Sequence, residues 1–361
     1  MKRTATIHRG MRKECRNPGG EAASTALLHQ SRAIRSVINI FQQGEAMQTQ
    51  KGGLFTFILL AVALHFATPV FAAKEVKFVS VPWTGVTVKT ELAKNILGSL
   101  GYEATSQNLP VPIVYKALEM GDADVFLGNW MPSMESIASG FFSKGTVIKY
   151  VANMPGAKYT LAAPAYVVDG GLKDFSDIAK YADKLDHKIY GIEPGNDGNL
   201  IIQQMIDENK FGLGNFKLIA TSEPIMLSEV KMLSKEKKWA VFLGWSPHYM
   251  NELIDMKYLT GSTVETFGAN DGTATVYTNI HKGFDKEMPN VAHFLKNYIF
   301  SISMINEISL MLQNNKQMKH AEAGMEYLKK HPEVYRGWLE GVTTVDGKPA
   351  LPVFEAYLKN T

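Results

Sequence analysis

Aromatic residues are the side chains of this sequence whose placement suggests a chemistry. Three of the five tryptophans closely follow a short apolar segment and stand beside a glycine or a proline: Trp83, Trp130 and Trp245. Tyr159 heads a further apolar segment. Ring faces attract cations, and each desolvated contact contributes on the order of 0.5–2 kcal/mol. Because a quaternary ammonium group cannot form conventional hydrogen bonds, proteins hold it by enclosing it in such rings, and these four residues are candidates for that role.

A glycine-rich turn is the second candidate for ligand contact. The segment Glu193-Pro-Gly-Asn-Asp-Gly-Asn199 lies between a predicted strand at 188–192 and a predicted helix at 200–209. Such a turn exposes backbone N–H groups at a helix N-terminus and favours an anionic group there. Asn196 would add a side-chain amide to this contact. An N-capped tight turn without any ligand gives the same pattern, so both interpretations stay open.

Other chemistries lack their motifs in this sequence. The nine histidines form no His-x-x-x-His or Glu-x-x-His cluster, so no metal site is expected. No Gly-x-Ser-x-Gly, phosphate-loop or dinucleotide pattern occurs, and neither a catalytic residue nor a cofactor is expected. The single cysteine, Cys15, precedes the predicted folded body, which therefore has no disulfide and no cysteine nucleophile.

Composition and charge fit an ordinary folded protein. The 361 residues are 45% hydrophobic and 20% charged, which is enough for two domains with sizeable cores. The formal net charge of +3 is misleading, because nine basic and only three acidic residues precede Ala73. The remainder carries 29 basic and 32 acidic residues, a net charge of −3, and has no basic patch for nucleic acid.

The N-terminal region has the pattern of an export signal. Lys51 precedes an apolar run at 54–66 that is shorter than the about 20 residues of a membrane span, and small residues Val70 and Ala72 follow it. We predict a signal peptide at 47–72, cut after Ala72 or the next residue, although an uncut anchor stays an alternative. Residues 1–46 are then an upstream extension or a misassigned start. The predicted product is secreted and soluble in the periplasm of a Gram-negative bacterium.

Strands alternate with helices along the predicted mature chain. This order predicts two α/β units, each with a mainly parallel sheet flanked by helices. The predicted strands lie at 76–81, 102–107, 124–128, 159–168, 188–192, 239–243 and 273–280. The predicted helices lie at 87–100, 111–120, from 175 and at 200–209, and the chain is predicted to be largely helical from 281 to about 342.

Four segments together resemble the type II periplasmic substrate-binding proteins of the choline and glycine betaine uptake family. They are Pro-Trp-Thr at 82–84, Gly-Asn-Trp-Met-Pro at 128–132, Pro-Gly-Asn-Asp-Gly-Asn at 194–199 and Gly-Trp-Ser-Pro-His at 244–248. The likeness covers roughly 74–320 and implies two α/β lobes with the ligand in the cleft between them. It implies that lobe I is discontinuous, at 74–154 and 268–361, and that lobe II covers 155–267.

The resemblance also implies roles for individual residues. Asn196 would bind the polar end of the ligand, and the aromatic box would consist of Trp83, Trp130, Tyr159 and Trp245. The choline-binding branch usually carries an aspartate two residues after the first box tryptophan, where this sequence has Gly85. The change removes an acceptor for a choline hydroxyl and favours a zwitterion such as glycine betaine or carnitine, although one other side chain could replace that aspartate. His248 could contact a ligand carboxylate or make a structural hydrogen bond.

The predicted function is that of the solute-binding subunit of an ABC importer. It would act as a monomer, capture glycine betaine, carnitine or choline, and deliver it to a transmembrane permease with its ATPase. Two alternatives belong to other classes: a periplasmic enzyme acting on methylated amines, and a chemosensory binding protein that presents the ligand to a receptor.

Overall fold

Nine strands form one mixed sheet in the computed structural model, which describes residues 74–361. The strands are β1 Glu75–Ser80, β2 Glu103–Asn108, β3 Val125–Met131, β4 Val147–Pro164, β5 Lys188–Gly191, β6 Lys217–Ala220, β7 Phe242–Ser246, β8 Met256–Tyr258 and β9 Thr273–His281. Their order in the sheet is β2-β1-β3-β9-β4-β7-β5-β6, with β8 paired to β4. The predicted signal peptide, the extension before it and Cys15 lie outside the described residues.

Helices cover the sheet on the connections between strands. Two 3₁₀ helices occupy Phe175–Leu185 and Lys210–Gly212. The α-helices are α1 Thr84–Ser99, α2 Val111–Met120, α3 Glu135–Lys144, α4 Ala165–Asp169, α5 Asp197–Asp207, α6 Glu223–Lys235, α7 Met250–Leu253, α8 Ala269–Gly272, α9 Phe284–Glu287, α10 Pro289–Asn297, α11 Ile302–Asn314, α12 His320–Lys330, α13 Pro332–Trp338 and α14 Ala350–Lys359.

Two parallel α/β halves are joined by long antiparallel strands. In the first half β1 pairs in parallel with β2 and β3, and in the second half β5 pairs in parallel with β6 and β7. Between them, β9 is antiparallel to β3 and β4, and β4 is antiparallel to β7. The predicted α/β architecture of two lobes is confirmed, but the sheet is mixed at its centre because both crossing strands run antiparallel.

Local sequence explains where the first elements begin and end. Helix α1 has an apolar stripe that includes the fully buried Val88, Leu92 and Ile96. Gly101 follows it with a φ of +89°, the left-handed conformation that favours glycine after a helix. Helix α2 lies at its predicted position, 111–120.

Other predicted boundaries were wrong. Strands β3 and β7 extend through Trp130 and Trp245, which had been expected just beyond the strand ends. The predicted strand 159–168 is the second part of β4, which begins twelve residues earlier and gives way to α4 after Pro164. Strand β6 and helices α3 and α14 had not been predicted.

Helix lengths also bear on membrane association. Among residues 74–361, none of the helices combines the length and the apolar character that a membrane crossing requires.

Candidate functional site

Residues from both halves of the sheet line a single cavity. The first half contributes side chains from α1 and β3, and the second half contributes side chains from β4, β7 and the loop before α5. The lining residues are Trp83, Gly85, Val86, Lys89, Trp130, Met154, Tyr159, Ile192, Asp197, Trp245, Pro247 and Ile305. All four predicted box aromatics and Gly85 are therefore brought together in one wall.

The pairing of β4 with β7 positions two of the rings. Tyr159 and Trp245 are direct cross-strand partners, so their side chains emerge on the same face of the sheet. Their ring centroids lie 6.2 Å apart at an interplanar angle of 76°, in an edge-to-face arrangement. Trp130, near the end of β3, approaches Tyr159 from the other side with centroids 5.9 Å apart. Tyr159 thus stands at the centre of three rings on the sheet.

Trp83 completes the set from the opposite half. It follows β1 and occupies the N-cap position of α1. Its indole Nε1 donates a 2.7 Å hydrogen bond to Oε1 of Glu193, which lies in the loop between β5 and α5. Burial raises the pKa of Glu193 above its ordinary value. This hydrogen bond joins the first half to the second across the cavity.

A second contact crosses the cavity one residue later. Thr84 donates through its hydroxyl to Oε1 of Glu223 at 2.6 Å and through its backbone N–H to Oε2 at 3.3 Å. Glu223, on α6, also contacts Nε2 of His248 at 2.9 Å. Burial opposes ionisation of Glu223, but His248 and the hydrogen bonds from Thr84 hold its pKa below the usual range. The carboxylate therefore makes the contact in its charged form.

The structure places two predicted site residues behind the cavity wall. His248 is buried, lies beside Trp245 with ring centroids 5.0 Å apart, and uses Nδ1 to accept the backbone N–H of Met250 at 3.1 Å. Asn196 is the N-cap of α5, and its Oδ1 accepts hydrogen bonds from Asn199 N–H and from the Tyr159 hydroxyl, each at 3.1 Å. Both side chains contact box residues from outside the cavity.

Asp197 is a wall residue that sequence reasoning missed. Asn196 donates through Nδ2 to its Oδ1 at 3.0 Å, whereas its Oδ2 is buried and has no hydrogen-bond partner among residues 74–361. Only 1% of its surface is exposed, and burial raises the pKa of its carboxyl to about 6. Its charge also raises the pKa of Tyr159, after the larger effect of burial, so the carboxylate lies near the box.

Lys89 is a second wall residue that was missed. It lies on α1, is 2% exposed, and donates through Nζ to Oδ1 of Asn153 at 3.0 Å. Burial lowers the pKa of the amine to about 7. A readable signal existed, because Lys89 falls in the apolar stripe of α1, three residues after Val86 and four before Ala93.

The other two tryptophans lie outside the cavity wall. Trp239 packs against Tyr181 with ring centroids 4.8 Å apart and an interplanar angle of 44°, and Lys184 lies over its ring. Trp338 packs between C-terminal helices and donates from Nε1 to the carbonyl of Ile299 at 2.9 Å. In the part of the chain that the structure describes, no three histidine, cysteine or acidic side chains are grouped so that they could hold a metal ion.

Comparison with known proteins identifies related sequences and folds. The family model for the substrate-binding domain of ABC-type glycine betaine transport systems matches residues 74–330. A solved ABC-transporter choline-binding protein in complex with choline is 43% identical, with a TM-score of 0.76 over 79% of this chain and 98% of that one. Lactococcal OpuAC, solved with glycine betaine, shares the fold with a TM-score of 0.66 and 23% identity, over 73% of this chain and 99% of that one.

One curated relative is a transport protein. The glycine betaine/carnitine transport binding protein GbuC of Listeria monocytogenes is 27% identical over 165 residues, 46% of this chain. The chain spans about half of that relative, 53% of its length.

Proposed function

Because this chain belongs to the family of substrate-binding domains of ABC-type glycine betaine transport systems, we propose that its cavity captures one quaternary ammonium compound in a box formed by Trp83, Trp130, Tyr159 and Trp245. The chain is a substrate-binding protein of glycine betaine and choline ABC transporters. The observation that carries the assignment of the site is the convergence of these four aromatic residues on one cavity.

The free energy needed for micromolar binding supports a site in which a buried charge assists the aromatic rings. Four cation–π contacts contribute about 2–8 kcal/mol, whereas a micromolar Kd corresponds to about 8 kcal/mol after the costs of association. Burial of the ligand methyl groups supplies part of the difference. The Asp197 carboxylate, whose Oδ2 has no hydrogen-bond partner in the described part of the chain, supplies a further attraction for the cation.

Closure of two lobes completes the box. We assign residues 74–154 and 268–361 to lobe I and 155–267 to lobe II, so that the chain passes from lobe I to lobe II within β4 and returns just before β9. The contacts from Trp83 to Glu193 and from Thr84 to Glu223 then join the lobes in the closed state. A ligand that contacts rings of both lobes favours that state, because only closure lets it reach all of them.

The remaining assignments follow from this function. Asn196 and His248 are positioning residues that hold Tyr159 and Trp245, and Gly85 leaves room beside Trp83. The protein acts as a monomer in the periplasm of a Gram-negative bacterium and delivers its ligand unchanged to a permease. An enzyme acting on methylated amines would instead convert the ligand, and recovery of intact ligand after prolonged incubation distinguishes the two.

Isothermal titration of the chain from Ala73 with choline, glycine betaine and carnitine tests the proposal. We expect micromolar or tighter binding of at least one ligand, and loss of that binding in Trp245→Ala. Trp239→Ala is the matched control, because this tryptophan packs on Tyr181 outside the cavity, and it should bind as the unaltered protein does. Absence of binding to all three ligands, or equal effects of the two substitutions, would refute the aromatic box.

A further inference from the structure

We propose that Lys89 determines ligand specificity in this cavity by binding the carboxylate of a zwitterionic ligand whose quaternary ammonium group lies in the aromatic box. The inference rests on the proposed function and extends it from quaternary ammonium compounds in general to trimethylammonium carboxylates.

The amine of Lys89 is buried with little compensation. Within residues 74–361 its hydrogen-bonding partner is one neutral amide oxygen, that of Asn153, and no carboxylate lies within ion-pair distance of it. An ammonium group can donate three hydrogen bonds, so donors remain for a ligand. Burial of a cation without a counter-charge costs several kcal/mol, and a bound carboxylate offsets that cost.

Asn153 holds the amine in one position. Its Nδ2 donates to the carbonyl of Leu127 at 3.2 Å and to the Thr278 hydroxyl at 3.0 Å, which fixes the amide with Oδ1 toward Lys89. The side chain of Tyr298 donates to the Lys89 carbonyl at 2.9 Å and fixes the backbone of α1. The amine therefore occupies a defined place in the wall before any ligand arrives.

Two opposite charges in one cavity stay apart. Asp197 and Lys89 both line it, yet they form no ion pair, and the pKa of Lys89 is lowered by burial alone. A zwitterion satisfies both groups, because its ammonium end meets the box and Asp197 while its carboxylate meets Lys89. Choline carries only the positive end and leaves Lys89 without a counter-charge.

Binding should therefore be linked to proton uptake. With the pKa of the free amine at about 7, only about a tenth of Lys89 is protonated at pH 8, and a bound carboxylate would draw up to about 0.9 proton onto it. Above pH 7, affinity for the zwitterion should fall as pH rises, by up to about tenfold per unit.

Other ionisable groups line the cavity or lie close to α1. They are Asp197, Glu193, Tyr159, Glu223 with His248, Tyr298, Glu91 and His320. At pH 8 the carboxyl of Asp197 is ionised, because its pKa is raised only to about 6. Burial raises the pKa values of Tyr159 and Tyr298 well above 10 and lowers that of His320, so these groups do not take up protons at that pH.

Titration of Lys89→Met with glycine betaine and choline tests the proposal. Loss of a hydrogen bond to a charged group should weaken glycine betaine binding about 10- to 150-fold, whereas choline should bind as before or more tightly. Equal losses for both ligands, or an unchanged preference between them, would overturn the role of Lys89. Failure of the unaltered protein to bind glycine betaine, choline and carnitine would instead refute the proposed function.

A second measurement needs only the unaltered protein. Titrations of glycine betaine at pH 8 in buffers of different ionisation enthalpy report the protons taken up on binding. We expect an uptake approaching one proton with glycine betaine and none with choline. Choline binding accompanied by no glycine betaine binding, or glycine betaine binding without proton uptake, would overturn the inference and leave the aromatic box standing.

Discussion

Replacement of Asp197 by asparagine should stabilise the ligand-free protein and weaken cation binding at the same time. The pKa of this buried carboxyl rises from 3.8 to about 6, which corresponds to about 3 kcal/mol of disfavoured ionisation. Asparagine is neutral and retains an oxygen that can accept from Asn196. The NH₂ group of the asparagine would find no acceptor at the position of Oδ2, and the side chain would lose the negative charge that the N-terminus of α5 favours. Together these two changes cost about 1–2 kcal/mol of stability. We expect a net gain of about 1–2 kcal/mol at pH 7.5.

The sign of the pH dependence follows from the raised pKa of Asp197. The folded protein binds the proton of the Asp197 carboxyl more tightly than the unfolded chain does. The stability that this protonated carboxyl contributes is therefore fully present below about pH 4. It is lost as pH rises through about 6. The stabilising effect of Asp197→Asn should therefore appear between pH 4 and 6 and stay constant above that range. Below pH 4 both proteins carry a neutral side chain here.

The effect on binding has the opposite sign. At an effective dielectric constant of about 20, a unit charge about 5 Å from the carboxylate is attracted by about 3 kcal/mol, so cation affinity should fall about 100-fold. Choline binding to the unaltered protein should also strengthen between pH 5 and 7 as Asp197 ionises, and this dependence should flatten in the variant.

Thermal unfolding from pH 4 to 8 and titration with choline at pH 7.5 measure both effects. We expect Tm to rise by about 2–8 °C at pH 7.5 and to fall below that of the unaltered protein at pH 4, where the native carboxyl is neutral and only the cost of the amide remains. A variant that is less stable at pH 7.5 would show that the carboxylate is compensated in the folded protein. Unchanged choline affinity would show that Asp197 does not face the ligand cation.

Three further substitutions test the geometry of the wall. A Cβ on Gly198 would lie 2.1 Å from the Tyr159 hydroxyl, so Gly198→Ala should displace this ring and reduce affinity at least tenfold. Gly140→Ala is its control and should bind normally in the same titration, because its Cβ would meet nothing within 4 Å among the described residues outside its own helical turn. A Cβ on Gly85 meets only ordinary contacts, so Gly85→Asp should fold, place a carboxylate in the cavity and shift the ratio of affinities toward choline over glycine betaine. Glu223→Gln should lower stability near pH 7 by about 2–3 kcal/mol, because the buried carboxylate accepts hydrogen bonds from His248 and Thr84 that a neutral amide replaces only in part, and the deficit in unfolding free energy should shrink as pH falls and the native carboxyl is protonated.

The strands that carry the aromatic residues of the cavity could be predicted from the sequence better than the charged residues that line it. Apolar segments ending in tryptophan were readable because strand and ring are both strong local signals. The exact ends of β3 and β7 could not be predicted from the sequence. Pairing with β9 extends β3 through Trp130, and pairing with β4 extends β7 through Trp245. Strand β6 was missed because Lys217–Ala220 is short and only partly buried, so its apolar pattern is weak.

Asp197 and Lys89 were missed for a different reason. Charged residues in a turn and on a helix are usually exposed, and burial of either depends on what packs against it from distant parts of the chain. Lys89 is enclosed by contacts to Asn153 and the Phe300 ring, which come from β4 and the segment before α11. Sequence periodicity indicated only that Lys89 falls on the apolar stripe of its helix, and it could not say which partner compensates the charge.

Two kinds of residue in this site should have separable effects on binding. Glu193 and Glu223 contact Trp83 and Thr84 from the opposite half, so weakening them lowers the population of the closed state. Apparent affinity scales with that population whichever ligand is bound, so such changes should reduce binding of choline and glycine betaine by the same factor. Lys89 contacts only one end of the ligand, so its replacement should change the ratio of the two affinities. A measured ratio, rather than a single Kd, therefore distinguishes closure from recognition in this cavity.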